Sequence, residues 1–218
     1  QKNRIEPIPS ICLGTVELSP FEMAGSFIPF VNKGLWIEPN FIARIEDANG
    51  NIVFENTEPK HDQVLSEEKA YLMYKMLTGV VEKGTGKRLT DGRMGPTLRK
   101  LKGVAGGKTG TTQGSADGWF IGVNRNLVAV TWVGADDPSV RFRNGRLGQG
   151  AHMALPIYAN FMRSILEGKQ TFKLDLNMID KPTGNGGIMT DCGVEVPDES
   201  FLNIDPDENK DLDLDDLG

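Results

Sequence analysis

Two apolar runs, Trp119 to Val123 and Leu127 to Val133, are separated only by Asn124-Arg125-Asn126. A connection that short cannot cross a sheet, so the two strands must be antiparallel neighbours. A third run, Lys108 to Thr112, precedes them, and helical patterns bound the block. Ser66 reads as the N-cap of a helix over about Glu67 to Val81, with Ala70, Met73, Leu77 and Val80 on one face and Gly84 beyond its end. Ser19-Pro20-Phe21-Glu22 combines an N-cap, a Pro at the first helical position and a Glu at N3, which is a capping box. That helix should stop at Asn32-Lys33-Gly34, and Pro29 within it should kink or shorten it. A hairpin is expected from Phe41–Glu46 and Asn51–Phe54 around Asn49-Gly50, where a tight turn needs positive φ. A last helix should run from near Pro156 to Leu166, with Tyr158, Phe161, Met162 and Ile165 as its apolar face. The elements give an α+β fold, an antiparallel sheet flanked by helices.

At 218 residues the chain has room for one domain and an appendage. Its longest apolar run, Leu127 to Val133, is far short of the ~20 residues of a membrane helix, and no stretch has the pattern of a signal peptide. Because the chain starts at Gln1 and its opening reads as the middle of something, it is taken as a piece of a longer protein. The net charge of −6 is uneven: from Lys181 onward two Lys face eleven Asp or Glu, leaving the first 180 residues at +3. The division expected is therefore 1–170 as the folded portion and 171–218 as an acidic, disordered tail. A nearly neutral body gives no case for a nucleic-acid partner. Cys12 and Cys192 have no CxxC spacing, and His61 and His152 lie far apart, so neither a disulfide framework nor a metal site is expected.

The segment richest in chemistry is Gly106-Gly107-Lys108-Thr109-Gly110-Thr111-Thr112. As a phosphate-binding loop it would need a glycine at position 102, which is Lys102, and a helix starting at the Lys, where Gly110 and two threonines form helices poorly. As a plain glycine-rich loop it would leave Lys108 solvated. As a strand bordering a cleft it gives each residue a task. Thr109 and Thr111 share a face and can hydrogen-bond a substrate carboxylate. Gly110 lets a peptide backbone approach, Lys108 can polarise a serine-based proton network, and the Thr111 amide can serve a developing oxyanion.

On this third reading the segment resembles the Lys-Thr-Gly box of serine penicillin-binding proteins and their β-lactamase relatives. Further matches are Pro9-Ser10-Ile11-Cys12-Leu13-Gly14, Ser19-Pro20-Phe21-Glu22-Met23-Ala24, Gly84-Thr85-Gly86, Asp117-Gly118-Trp119-Phe120-Ile121-Gly122 and Trp132-Val133-Gly134. Together they resemble bifunctional, class A penicillin-binding proteins over about residues 9 to 168. Gly118 departs from the alanine more usual there, and Pro29 interrupts a helix usually free of it. The resemblance implies a β-lactamase/transpeptidase-like fold, present only as its C-terminal part. It also implies a serine D,D-transpeptidase that cross-links peptidoglycan stem peptides ending in D-Ala-D-Ala and binds β-lactams. Lys108 and Thr111 would be catalytic, and Thr109, Gly110, Thr111 and Thr112 would bind substrate. No metal or organic cofactor is implied. The parent would work outside the cytoplasm, anchored in the cytoplasmic membrane through an upstream segment.

The family's nucleophile belongs to an S-x-x-K motif, and its proton shuttle to S-x-N; both precede Lys-Thr-Gly. Ser66-Glu67-Glu68-Lys69 fits the first literally, yet only about forty residues separate it from Lys108, too few for the helical subdomain that should intervene. Ser66 is better explained as an N-cap. No S-x-N occurs. Tyr158-Ala159-Asn160 imitates a Y-x-N variant, but it follows the box, and core packing accounts for Tyr158. The acids between Asp205 and Asp216 are spaced somewhat like a calcium loop without its required glycine and read as solvated tail. The piece alone is therefore expected to be inactive, to need the upstream half of its domain as a partner, and to be unstable without it. A non-catalytic binding or scaffolding module of the same fold is the alternative, and a hydrolytic β-lactamase a weaker one.

Overall fold

The computed structural model describes residues 5, 8–14, 16–57, 59–137, 139–143 and 145–183. The chain divides into two units, Gln1–Gly186 and Gly187–Gly218. The second lies outside the described residues, and with it Cys192 and the acidic run after Asp205.

Helix α1, Pro20–Val31, starts with the expected capping box. Ser19 Oγ accepts the Glu22 amide at 3.2 Å, while the Glu22 carboxylate accepts the Ser19 amide at 2.9 Å. Pro29 does not end the helix early. It sits in the final turn, where a missing N–H costs a single backbone bond, and its carbonyl accepts the Gly34 amide at 2.8 Å. Helix α1 is followed by β1 (Leu35–Ile37), the hairpin β2 (Arg44–Glu46) and β3 (Ile52–Glu55), and β4 (His61–Gln63). The hairpin forms around the expected turn, with Asp47 Oδ1 accepting the amides of Asn49 and Asn51, each at 2.8 Å, but its first strand starts three residues later than the sequence predicts. β1 and β4 pair antiparallel, Leu35 opposite Gln63. Neither is visible in the sequence, since three residues show no alternation and the pairing spans the whole hairpin.

Helix α2, Glu67–Glu82, is capped by Ser66, whose hydroxyl accepts the Lys69 amide. Its buried stripe is Ala70, Tyr71, Tyr74, Leu77, Thr78 and Val81. This differs from the expected face, because the two tyrosines bury large apolar rings and rotate the stripe, leaving Met73 37% exposed. The main sheet follows, β5 (Gly106–Thr111), β6 (Gly118–Asn124) and β7 (Leu127–Val133), antiparallel in that order. β5 starts two residues before the expected strand. Gly106 and Gly107 belong to it because they are pressed against neighbours: a Cβ on Gly107 would lie 2.6 Å from the Phe120 ring.

Helix α3 runs Gly150–Leu166, six residues longer at its start than the sequence predicts. Pro156 is interior, not terminal. Ala151, Ala154 and Leu155 extend the buried face of Tyr158, Met162 and Ile165, and that packing outweighs the backbone bond lost at Pro156. Phe161, expected on the buried face, is 43% exposed.

Sheet alternation divides the core. Ile121 and Val123 pack with Tyr74 and Leu77 and with Met23, Phe27 and Phe30 of α1. On the other face Phe120 packs with Leu89, Leu98, Leu101 and the buried side of α3. Tyr158 is 2% exposed, 4.9 Å from Phe120 between ring centres, and burial pushes its phenol up. It is a core residue. Burial pushes Tyr74 up to about 12, and its hydroxyl donates to the Val104 carbonyl at 3.0 Å. After α3, residues 173–180 form no helix or strand but are tied to the β6–β7 turn. Arg125 bonds Asp180 at 2.8 Å and the Met178 carbonyl at 2.7 Å, and Asn126 donates to the Lys173 carbonyl. No described helix is long and apolar enough to cross a membrane.

Candidate active site

β5 carries the site, and its register sets where each side chain points. Lys108 lies opposite Ile121 and Gly110 opposite Trp119, so these share one face of the sheet. Thr109 lies opposite Phe120 and Thr111 opposite Gly118, on the other face. The Thr112 amide donates to the Asp117 carbonyl at 3.3 Å. Hydrogen-bonded pairs alternate along an antiparallel ladder, so Gly110–Trp119 is the next bonded pair. The amides and carbonyls of Thr109 and Thr111 are thereby turned to the outer edge of β5, which no described strand covers.

A cleft of about 980 Å³ lies over the Lys108 face of the sheet, with Trp119 and Ile121 of β6 and Trp132 of β7 on its floor, and reaches β5. Lys108, Thr109, Gly110, Thr111 and Thr112 line it, facing Met23 and Phe27 of α1. All the expected site residues are thus brought together. Lys108 is exposed and donates to the outward Thr109 carbonyl at 2.6 Å. The Thr109 and Thr85 hydroxyls are 2.7 Å apart, and Thr111 Oγ1 accepts the Gly150 amide at 3.0 Å. The Thr112 hydroxyl closes the β5–β6 turn, accepting the Asp117 amide at 3.0 Å. Asp117 in turn accepts Trp132 Nε1 at 3.0 Å, which holds the indole at the cleft wall, 6.3 Å from Trp119 between ring centres. Ser66 and Lys69 do not line the cleft. In the first turn of α3, burial is the main cause that lowers the His152 pKa, helped by Arg88 and Arg146. Among the described residues no group of three or more His, Cys, Asp or Glu is placed to hold a metal.

Sequence reasoning missed Thr85 and Gly150. Thr85 was visible only as part of Gly84-Thr85-Gly86, which assigns it no contact. Gly150 lies six residues before the predicted start of the last helix. Both reach the site through tertiary contacts alone.

Residues 7–167 match the family model described as the penicillin binding protein transpeptidase domain. The chain belongs to this family. Penicillin-binding protein 1A of Aquifex aeolicus is 33% identical over 163 residues, covering 75% of this chain and 21% of that protein. Penicillin-binding protein 2D of Bacillus subtilis is 35% identical over 168 residues, covering 76% and 23%. Penicillin-binding protein 1A from Haemophilus influenzae superimposes with a TM-score of 0.66 at 25% identity, over 86% of this chain and 33% of that one. The α+β transpeptidase fold is therefore common to this chain and a solved penicillin-binding protein. The chain spans about a fifth of the length of these two curated relatives.

Proposed function

We infer that this penicillin-binding transpeptidase domain chain supplies the Lys-Thr-Gly wall of a serine D,D-transpeptidase cleft, and that the nucleophile comes from outside these 218 residues. The observation that carries the reading is that Lys108, Thr109 and Thr111 all line one 980 Å³ cleft, on a strand whose outer edge no described strand covers. The terminal carboxylate of a D-Ala-D-Ala stem peptide, or of a β-lactam, lies against the Thr109 and Thr111 hydroxyls and is attracted by Lys108. A serine oxygen attacks the penultimate carbonyl, and the outward Thr111 amide donates to the resulting oxyanion. D-Ala leaves, an ester to the serine remains, and the amine of a neighbouring stem displaces it. One such oxyanion donor is worth ~3–4 kcal/mol of barrier. Within this reading residues 1–170 belong to the transpeptidase domain, residues 173–180 are held against it by Arg125 and Asn126 rather than forming a free tail, and the protein works on the outer side of the cytoplasmic membrane, held by an upstream anchor.

The test is intact mass, then peptide mapping, of the protein carrying this chain after exposure to a β-lactam. The reading expects an adduct on a serine outside the 218 residues and a severe loss of acylation in Lys108→Ala. An adduct on Ser66 would reassign the nucleophile, normal acylation by Lys108→Ala would remove its role, and no adduct would leave a binding module.

A further inference from the structure

We propose that Thr85 is a positioning residue for substrate carboxylate recognition, acting through Thr109; the inference rests on the transpeptidase reading above. Thr85 does not line the cleft, yet its Oγ1 lies 2.7 Å from Thr109 Oγ1. The loop that presents it is tightly set on the last turn of α2. Gly84 and Gly86 donate their amides to the carbonyls of Gly79 and Val80, each at 3.0 Å. A Cβ on Gly84 would lie 2.9 Å from Val80 Cα, so this loop closes onto the helix only with glycine there. Helix α2 itself packs along β5. The Thr85 hydroxyl is therefore delivered to Thr109 by a fixed route.

The proton arithmetic gives the pair a direction. A threonine hydroxyl has one hydrogen and two lone pairs. Thr111 Oγ1 already accepts the Gly150 N–H, so its own hydrogen is available to donate elsewhere. Thr109 has two arrangements. If it donates to Thr85, it has no hydrogen for a ligand. If Thr85 donates to Thr109, the Thr109 hydrogen is free to point into the cleft. A carboxylate only accepts hydrogen bonds, so its arrival selects the second arrangement. The result is a chain from Thr85 through Thr109 to the anion, in which each bond polarises the next. Both hydroxyls of the carboxylate wall then have a lone pair filled from behind, Thr111 by the start of α3 and Thr109 by the end of α2.

Thr85→Val keeps the branched shape and removes the hydroxyl; Thr85→Ser keeps the hydroxyl. Acylation of the protein carrying this chain is measured with benzylpenicillin and with its methyl ester. The expected result for Thr85→Val is a roughly 3- to 10-fold loss of acylation efficiency toward the free acid, the size of one modest hydrogen bond. The loss should fall on the binding constant that precedes acylation. The methyl ester should react equally with both proteins, and Thr85→Ser should restore the acid rate. Unchanged acylation by Thr85→Val overturns the inference, as does an equal loss with acid and ester, or failure of Ser to restore it. Absence of acylation in the unaltered protein overturns the transpeptidase reading itself, and this inference falls with it.

Discussion

Gly150 shows how much one missing methyl can decide. A Cβ there would lie 2.3 Å from the Gly110 carbonyl oxygen and 2.5 Å from that of Trp119. Both obstacles are backbone in the sheet, so they cannot rotate away. Gly150→Ala must lift the start of α3 off β5 and break the hydrogen bond from its amide to Thr111 Oγ1. The expected cost is about 1–3 kcal/mol, the usual size of overpacking, with a parallel loss of acylation; a denaturant titration beside the acylation rate checks both. Gly118 poses a softer case for an added methyl. The methyl would meet Met153 Cε at 2.3 Å, the far end of a flexible side chain, although the Gly150 Cα stands at 3.0 Å behind it. In this chain Met153 fills the space that alanine would need. The Lys-Thr-Gly residues themselves were legible in the sequence, because alternation alone places Thr109 and Thr111 on one face. What holds their hydroxyls was not, because the holders are 24 and 39 residues away along the chain.

At the scale of elements, the turn Asn124-Arg125-Asn126 does more than reverse the chain. Its length dictates antiparallel pairing, which the structure bears out. The side chains here also bind distant segments: the buried Asn124, last residue of β6, donates to the Val104 carbonyl, Arg125 bonds Asp175, Asp180 and Met178, and Asn126 bonds Lys173 and Asp175. Residues 173–180 are thereby strapped across the end of the sheet, with Leu174 and Ile179 against its two core clusters. The Asp180 carboxylate is 79% exposed, and exposed ion pairs contribute roughly 0.2–1 kcal/mol. Arg125→Ala should therefore cost about 1 kcal/mol or less. It should selectively speed amide exchange over 173–180, readable by hydrogen-exchange mass spectrometry, and leave the Lys108–Thr111 strand unaffected. The early start of α3 illustrates the opposite case. Pro156 is a strong local signal for a helix beginning, but Ala151, Ala154 and Leu155 bury against the sheet and carry the helix back to Gly150.

For the whole molecule, the surface is as informative as the core. Among the described residues no strand pairs with the outer edge of β5. The hairpin β2–β3 is exposed throughout, Leu13 is 86% exposed, Phe41 83% and Val53 68%. An isolated two-stranded hairpin is marginal in water, and bare edges recruit other strands. The 218 residues alone should consequently self-associate and melt over a broad range. Sedimentation velocity with a circular-dichroism melt checks this; a monomer at high concentration that unfolds sharply would show the chain to be self-sufficient. The sequence by itself determined what depends on neighbours within a few residues. The capped starts of α1 and α2 follow from side chains one turn from their amides, the β6–β7 pairing from a connection too short for anything else, and the strand character of Lys108 to Thr111 from its composition. Only the tertiary structure decided which stripe of α2 is buried, where α3 begins, that β1 meets β4, and that Thr85 and Gly150 hydrogen-bond Thr109 and Thr111. Those outcomes depend on burial and hydrogen bonds between segments far apart in the chain, whose free energies outweigh local preference but leave no mark on local pattern.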